Sequence, residues 1–209
     1  AALRLSDDPA SQVMALRLLS GQAAVALQNE RLLTELRQTH ADLEHQAMYD
    51  PLTGLANRSS FVGLLVEALR QDGMAGERTT VMFLDLNGFK AVNDRLGHNA
   101  GDEVLAGVAS RLVAAVGDRG RVARLGGDEF TVLLSARSRS FITTEIADAI
   151  HLALNEPFEI ADGAAEIGAS IGIAHSDPFI GVSEMLRRAD VAMYAAKSSG
   201  GVWRTMTYR

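Results

Sequence analysis

Arg124-Leu125-Gly126-Gly127-Asp128-Glu129-Phe130 is the stretch on which the reading of this chain turns. Arg121-Val122-Ala123 precedes it and Thr131-Val132-Leu133-Leu134 follows, two short runs rich in β-branched and apolar residues. Paired glycines between strand-like runs mark a tight hairpin. Glycine also lets a ligand approach the backbone with no Cβ in the way. Asp128 and Glu129 come next, so the hairpin carries adjacent carboxylates. Alone, such a pair reads first as a solvated loop, and a second cluster upstream changes that reading.

Asp85 closes the apolar run Thr79-Thr80-Val81-Met82-Phe83-Leu84, a buried strand meeting the surface. Neither Asp85 nor the Asp128 hairpin has an obvious lysine partner nearby in sequence. Two carboxylates from neighbouring strand ends make a hard-oxygen site suited to Mg²⁺, which keeps waters and takes further ligands from substrate phosphates. Two-metal nucleotidyl-transfer sites are built this way. Leu86-Asn87-Gly88-Phe89-Lys90 adds a glycine turn before a helix, where backbone N–H groups can hold phosphate oxygens. Asn93, His98 and Asp102 follow. A carboxylate accepts from guanine N1–H and the exocyclic amine, and an amide addresses O6 and N7, so Asn93 with Asp102 would select guanine. Asp102 reads equally as the N-cap of a helix from Glu103 onward, and His98 equally as a structural histidine.

Outward from these motifs, strands and helices interleave. A turn spans Asp50 to Arg58, and Asn57 reads as the N-cap of a helix to about Gln71. Helices are expected over 100–116, 139–155 and 182–199, a hairpin over 158–173 turning at Asp162-Gly163, and a last strand over 202–207. The fold class that follows is α/β (α+β), a central sheet flanked by helices. Residues 1–49 stand apart as one long helix, and residues 50–209 as the catalytic domain. Val25, Asn29, Leu32, Leu36, Thr39 and Leu43 alternate at spacings of four and three, a heptad seam flanked by Glu30, Arg31, Glu35 and Arg37. The seam points to a two-stranded coiled coil; an amphipathic helix packed on its own domain is the other reading.

Apolar residues make up 47% of the 209-residue chain, enough for a buried core. A net charge of −6 argues against nucleic-acid binding, which needs a basic surface, but not against a nucleotide brought with a metal ion. The absence of cysteine excludes disulfides and thiolate metal sites. No apolar run approaches the roughly 20 residues that span a bilayer and no signal peptide is visible, so a cytoplasmic location is expected. Membrane attachment through segments outside this chain stays open.

At this point the chain resembles the GGDEF diguanylate cyclases. RLGGDEF at 124–130 matches their signature, and DPLTGLANR at 50–58 the segment that opens their domain. FLDLNGFKAVNDRLGHNAGDEVL at 83–105, SIGIA at 170–174 and RADVAMYAAK at 188–197 match the rest, covering about 48–207. The resemblance implies a mostly antiparallel sheet like that of polymerase palms and nucleotide cyclases, with a ferredoxin-like core. It implies that Asp85, Asp128 and the Leu86 carbonyl bind Mg²⁺, two ions, with Mn²⁺ able to substitute. Asp128 would also take the proton of the ribose 3′-hydroxyl, and Glu129 would support the metal site. Asn93, His98 and Asp102 would contact guanine nucleotide, and Lys90 and Lys197 would neutralise triphosphate. GTP would be the substrate and a homodimer the working unit. LLSGQAAVALQNERLLTEL at 18–36 resembles the last helix of a GAF domain, which implies an upstream sensory domain.

The chain departs from the family pattern in two places. Gly117 and Gly120 stand where many relatives carry the Arg and Asp of a product-inhibition site. Gly201 stands where relatives carry a phosphate-holding arginine. The second departure implies an alternative function, a catalytically weakened GTP-binding module that regulates an attached domain.

Overall fold

The computed structural model describes residues 9–75, 78–134, 140–161, 163–177, 179–200 and 202–206. The chain divides into Ala1–Gln46 and Ala47–Arg209. The first unit is built on one helix, α1 (Pro9–Met48), with no internal proline to break it. Its seam residues Leu32, Leu36 and Leu43 are exposed, while the side chain of Val25 lies outside the described residues.

The second unit is a five-stranded sheet covered by helices. Its elements in order are α2 (Arg58–Ala75), β1 (Thr80–Asn87), α3 (Phe89–Leu96), α4 (His98–Val116), β2 (Gly120–Gly126) and β3 (Glu129–Leu134). Then come α5 (Ser140–Asn155), β4 (Phe158–Ile160), β5 (Gly163–Ala165), β6 (Gly168–His175), α6 (Val182–Ser198) and β7 (Trp203–Met206). The sheet order is β2-β3-β1-β6-β7. Neighbours are antiparallel except β6 and β7.

The central place of β1 explains its unbroken apolar run, because a strand covered on both faces does not alternate. Met82, Leu84 and Leu86 join one core with Val104, Leu105 and Val108 of α4 and Ile146 and Ile150 of α5. Val81 and Phe83 join the other with Phe61 and Leu65 of α2 and Met185 and Ala189 of α6. Burying one such side chain stabilises by roughly 1.5–3 kcal/mol. The second core is closely packed: a Cβ on Gly172 would overlap the Ala189 carbonyl and Met193 N, so glycine there lets α6 lie on β6.

The expected architecture holds, with local corrections. The helix expected to end near Gln71 runs to Ala75. The helix expected from Ala100 begins at His98, because Gly97, at φ 86°, separates α3 from α4. Asp102 therefore lies inside α4, and the N-cap reading is withdrawn. Asn57 does cap α2, its Oδ1 accepting from Ser60 N at 3.0 Å. The hairpin expected over 158–173 is two structures: β4 pairs with β5, and β6 enters the main sheet against β1. The expected turn residue Asp162, together with Arg139, Gly201 and Thr207, lies outside the described residues.

Candidate active site

The site forms where β1 ends. Asp85 pairs with Glu129 on β3 and with Ser170 on β6, so its flanking strands present their side chains on the same face. Leu86 N donates to the Asp128 carbonyl at 3.3 Å, which ties the glycine turn to β1. Gly126 and Gly127 have φ of 140° and 54°, values that L side chains rarely adopt, so the turn needs both. The two carboxylate clusters, 43 positions apart by subtraction of their numbers, are thus brought side by side.

Lys197, in the last turn of α6, forms an ion pair with Asp85. The expectation that Asp85 lacks a lysine partner held only for its neighbourhood in sequence. The pair raises the Lys197 pKa, chiefly through the Asp85 hydrogen bond, with the Asp128 charge adding to it. Burial raises the carboxyl of Glu129; Arg58 opposes this, while Asp128, Asp190 and Asp85 reinforce it. Asn87, on the same strand face, donates through Nδ2 to Ser170 Oγ at 3.0 Å.

A second ion pair holds the turn from behind. Arg124 Nη1 donates to both Asp50 oxygens at 2.9 and 3.2 Å. Its Nε and Nη2 donate to the Gly127 carbonyl at 3.1 and 2.8 Å. Asp50 also accepts from Thr53 N at 2.9 Å and Thr53 Oγ1 at 2.6 Å. The segment that opens the domain is therefore clamped to the hairpin that carries Asp128. Sequence reasoning missed Arg124 and Asp50 as partners, and Arg58 and Asp190 as neighbours of Glu129. Their place in the quoted motifs was the one available signal.

The α3–α4 junction lies after the glycine turn. Gly88, at φ 85°, precedes α3, and Lys90 is exposed in its first turn. Asn93 packs its amide on Gly101, where a Cβ would overlap Asn93 Oδ1. Asp102 follows that glycine and is exposed, as is His98 at the start of α4. The structure thus brings Asn93 to the residue before Asp102, and leaves His98, Asp102 and Lys90 open to a ligand.

Among the described residues, no group of three or more His, Cys, Asp or Glu forms a self-sufficient metal site. The donor set present, two carboxylates beside strand backbone, fits a hard cation completed by substrate oxygens. One of these carboxylates, Asp85, is paired with the Lys197 ammonium.

Fold and site together define the class: a mixed α+β domain with a central, mostly antiparallel sheet that gathers two carboxylate clusters at one end. The chain belongs to the GGDEF family, described as "Diguanylate cyclase, GGDEF domain", whose profile matches residues 47–202. It is 42% identical over 167 residues to diguanylate cyclase TpbB of Pseudomonas aeruginosa, covering 78% of this chain and 38% of that protein. It is 34% identical over 184 residues to diguanylate cyclase DgcP of Escherichia coli, covering 87% of this chain and 54% of the other. The chain thus spans 38% and 54% of the length of these relatives. Among solved structures, the coiled coil and GGDEF domain of DgcB from Caulobacter crescentus, in complex with c-di-GMP, matches with a TM-score of 0.75 at 28% identity. That match covers 90% of this chain and 99% of the other. The GGDEF domain of TpbB matches with a TM-score of 0.71 at 38% identity, covering 75% and 99%.

Proposed function

We propose that this domain is a diguanylate cyclase that joins two GTP molecules into cyclic di-GMP and releases two pyrophosphates. The observation that carries the reading is Asp85 lying beside the Asp128–Glu129 hairpin at one end of the sheet. The Asp85 and Asp128 carboxylates, with the Leu86 carbonyl, would hold Mg²⁺, two ions, with Mn²⁺ able to substitute. When bound, the metal lowers the pKa of the ribose 3′-hydroxyl and neutralises charge on the leaving group.

The residues of the chain do the rest. A carboxylate oxygen of Asp128 accepts the 3′-hydroxyl proton. O3′ then bonds to the α-phosphorus of the second GTP in line, and the bond from that phosphorus to the pyrophosphate oxygen breaks. Glu129 supports the metal site from the facing strand. Asn93 and Asp102 hold the guanine edge, and a site built to pair polar groups rejects a base that leaves them unpaired. His98 contacts the nucleotide. Lys90 and Lys197 neutralise triphosphate charge.

Each domain holds one GTP, so two must meet face to face, and their geometry controls the rate. The exposed seam of Leu32, Leu36 and Leu43 on α1 supports a homodimer. An upstream sensory domain fits a chain that spans part of its relatives' length. No described helix is long and apolar enough to cross a membrane, and a cytoplasmic location would supply the GTP. Incubating the protein with GTP and Mg²⁺ and separating the products tests the reading. Cyclic di-GMP supports it, and cyclic GMP would make the domain a mononucleotide cyclase. GTP bound but unconverted would favour a regulatory GTP-binding module, the reading that Gly201 motivates.

A further inference from the structure

Asp85 and Lys197 differ in freedom. The carboxylate is fixed on the central strand, with its side chain 16% exposed, while the lysine is 48% exposed on a flexible stem. The neighbouring polar groups are otherwise engaged: Ser170 Oγ donates to Asn87 Oδ1 at 3.2 Å, and Asn87 donates back. Among the described residues, Lys197 is the cation that pairs with Asp85. The charges that act on one another around it are the carboxylates of Asp85, Asp128, Glu129 and Asp190 and the cations Lys197 and Arg58. The carboxylates outnumber the cations, and the Lys197 ammonium is bonded to one of the two groups proposed to hold metal.

We propose that Lys197 guards the metal position: in the nucleotide-free domain its ammonium holds the Asp85 oxygen that a divalent ion needs, and it yields that oxygen when a nucleoside triphosphate arrives. The inference rests on the reading of Asp85 as a metal ligand. A metal arriving alone replaces the Lys197–Asp85 ion pair with its own pair to Asp85 and leaves the ammonium in water without a partner. A metal arriving with a triphosphate makes the same replacement and gives the displaced ammonium a phosphate partner, so one further ion pair forms. Metal and nucleotide therefore bind with positive coupling, and Lys197 is its source. Coupling of this kind is reciprocal, so each ligand raises the affinity for the other by the same factor. Lys197 is thus a positioning residue before it is a phosphate ligand.

The test uses Mn²⁺ as the probe, titrated into the full chain and read by electron paramagnetic resonance. The titration is done without nucleotide and again with a GTP analogue whose α,β-bridging oxygen is replaced by methylene. Lys197→Met should bind Mn²⁺ alone on the order of tenfold more tightly than wild type, since a unit positive charge beside the ion is gone. Lys197→Arg, which keeps the charge, should stay near wild type. With the analogue present, Lys197→Met should show a smaller gain in Mn²⁺ affinity from nucleotide than wild type does. Equal or weaker binding of Mn²⁺ alone by Lys197→Met, with an unchanged circular dichroism spectrum, would overturn the proposal. Asp85→Asn tests the underlying reading separately. If it loses nucleotide-dependent Mn²⁺ binding while Lys197→Met gains nothing, only the guard role fails. If it binds Mn²⁺ and analogue as wild type does, the metal-ligand reading fails with it.

Discussion

Replacing Arg124 with alanine should loosen the hairpin that carries Asp128, and the structure sets the size of the effect. Arg124 makes two hydrogen bonds to Asp50 and two to the Gly127 carbonyl, and the side chains of the ion pair are 10% and 18% exposed. Removing one partner of a buried pair costs about 3–5 kcal/mol. Asp50 keeps its bonds from Thr53, so the loss should lie near the lower end, about 3 kcal/mol. Urea denaturation of wild type, Arg124→Ala, Asp50→Ala and the double variant measures it, with an expected coupling of about 1–2 kcal/mol. The pH dependence has a defined sign. Burial pushes the Asp50 carboxyl up, but hydrogen bonds from Thr53 and Arg124 outweigh it and leave it below its usual 3.8. A carboxylate lowered by folding stabilises above its unfolded value, and that contribution is lost as pH falls through the folded one. The deficit of Arg124→Ala should therefore shrink as pH drops below about 3.8. Nucleotide turnover should fall by about tenfold or more, because the unpinned turn misplaces Asp128. A loss under about 1 kcal/mol, an additive cycle, or a deficit unchanged at acid pH would refute the clamp.

Gly101→Ala should push the Asn93 amide aside, since the new Cβ overlaps its Oδ1. GTP affinity by calorimetry should drop by about tenfold or more and the preference over ATP should narrow; unchanged values would detach Asn93 from guanine selection. Gly117 and Gly120 line a groove with Asp118 and Arg121 but supply neither a guanidinium nor a carboxylate themselves. Cyclic di-GMP added to initial-rate assays should inhibit mainly in competition with GTP, and potent non-competitive inhibition would show a second product site there. Removing residues 1–47 should lower specific activity more at low protein concentration than at high. Activity independent of both truncation and concentration would deny α1 a part in assembly.

What the sequence disclosed and withheld follows from the range of the interactions. The β2–β3 hairpin is legible because the glycines and flanking runs that make it are adjacent. β1 is legible because a central strand carries one unbroken apolar run. The partner of Asp85 is not, since Lys197 lies 112 positions away and only the docking of α6 on β6 brings it near. The Arg124–Asp50 clamp hides for the same reason, across 74 positions. The misplaced start of α4 has a local cause: period detects Ala100 onward, but the break at Gly97 is a backbone conformation with no apolar signal. The region 158–173 read as one hairpin because β4, β5 and the start of β6 follow closely, and the switch of β6 to pairing with β1 is a tertiary choice.

The central claim is that the carboxylates gathered at the end of β1 and on the glycine turn carry out nucleotidyl transfer. The most direct measurement is the initial rate of cyclic di-GMP formation from GTP and Mg²⁺ by wild type and Asp128→Ala, compared at equal concentration with matched circular dichroism. Loss of the carboxylate proposed to hold metal and accept the proton should raise the barrier by several kcal/mol, so the rate should fall by about a thousandfold with the fold intact. Near-normal turnover by a folded Asp128→Ala protein would contradict the account.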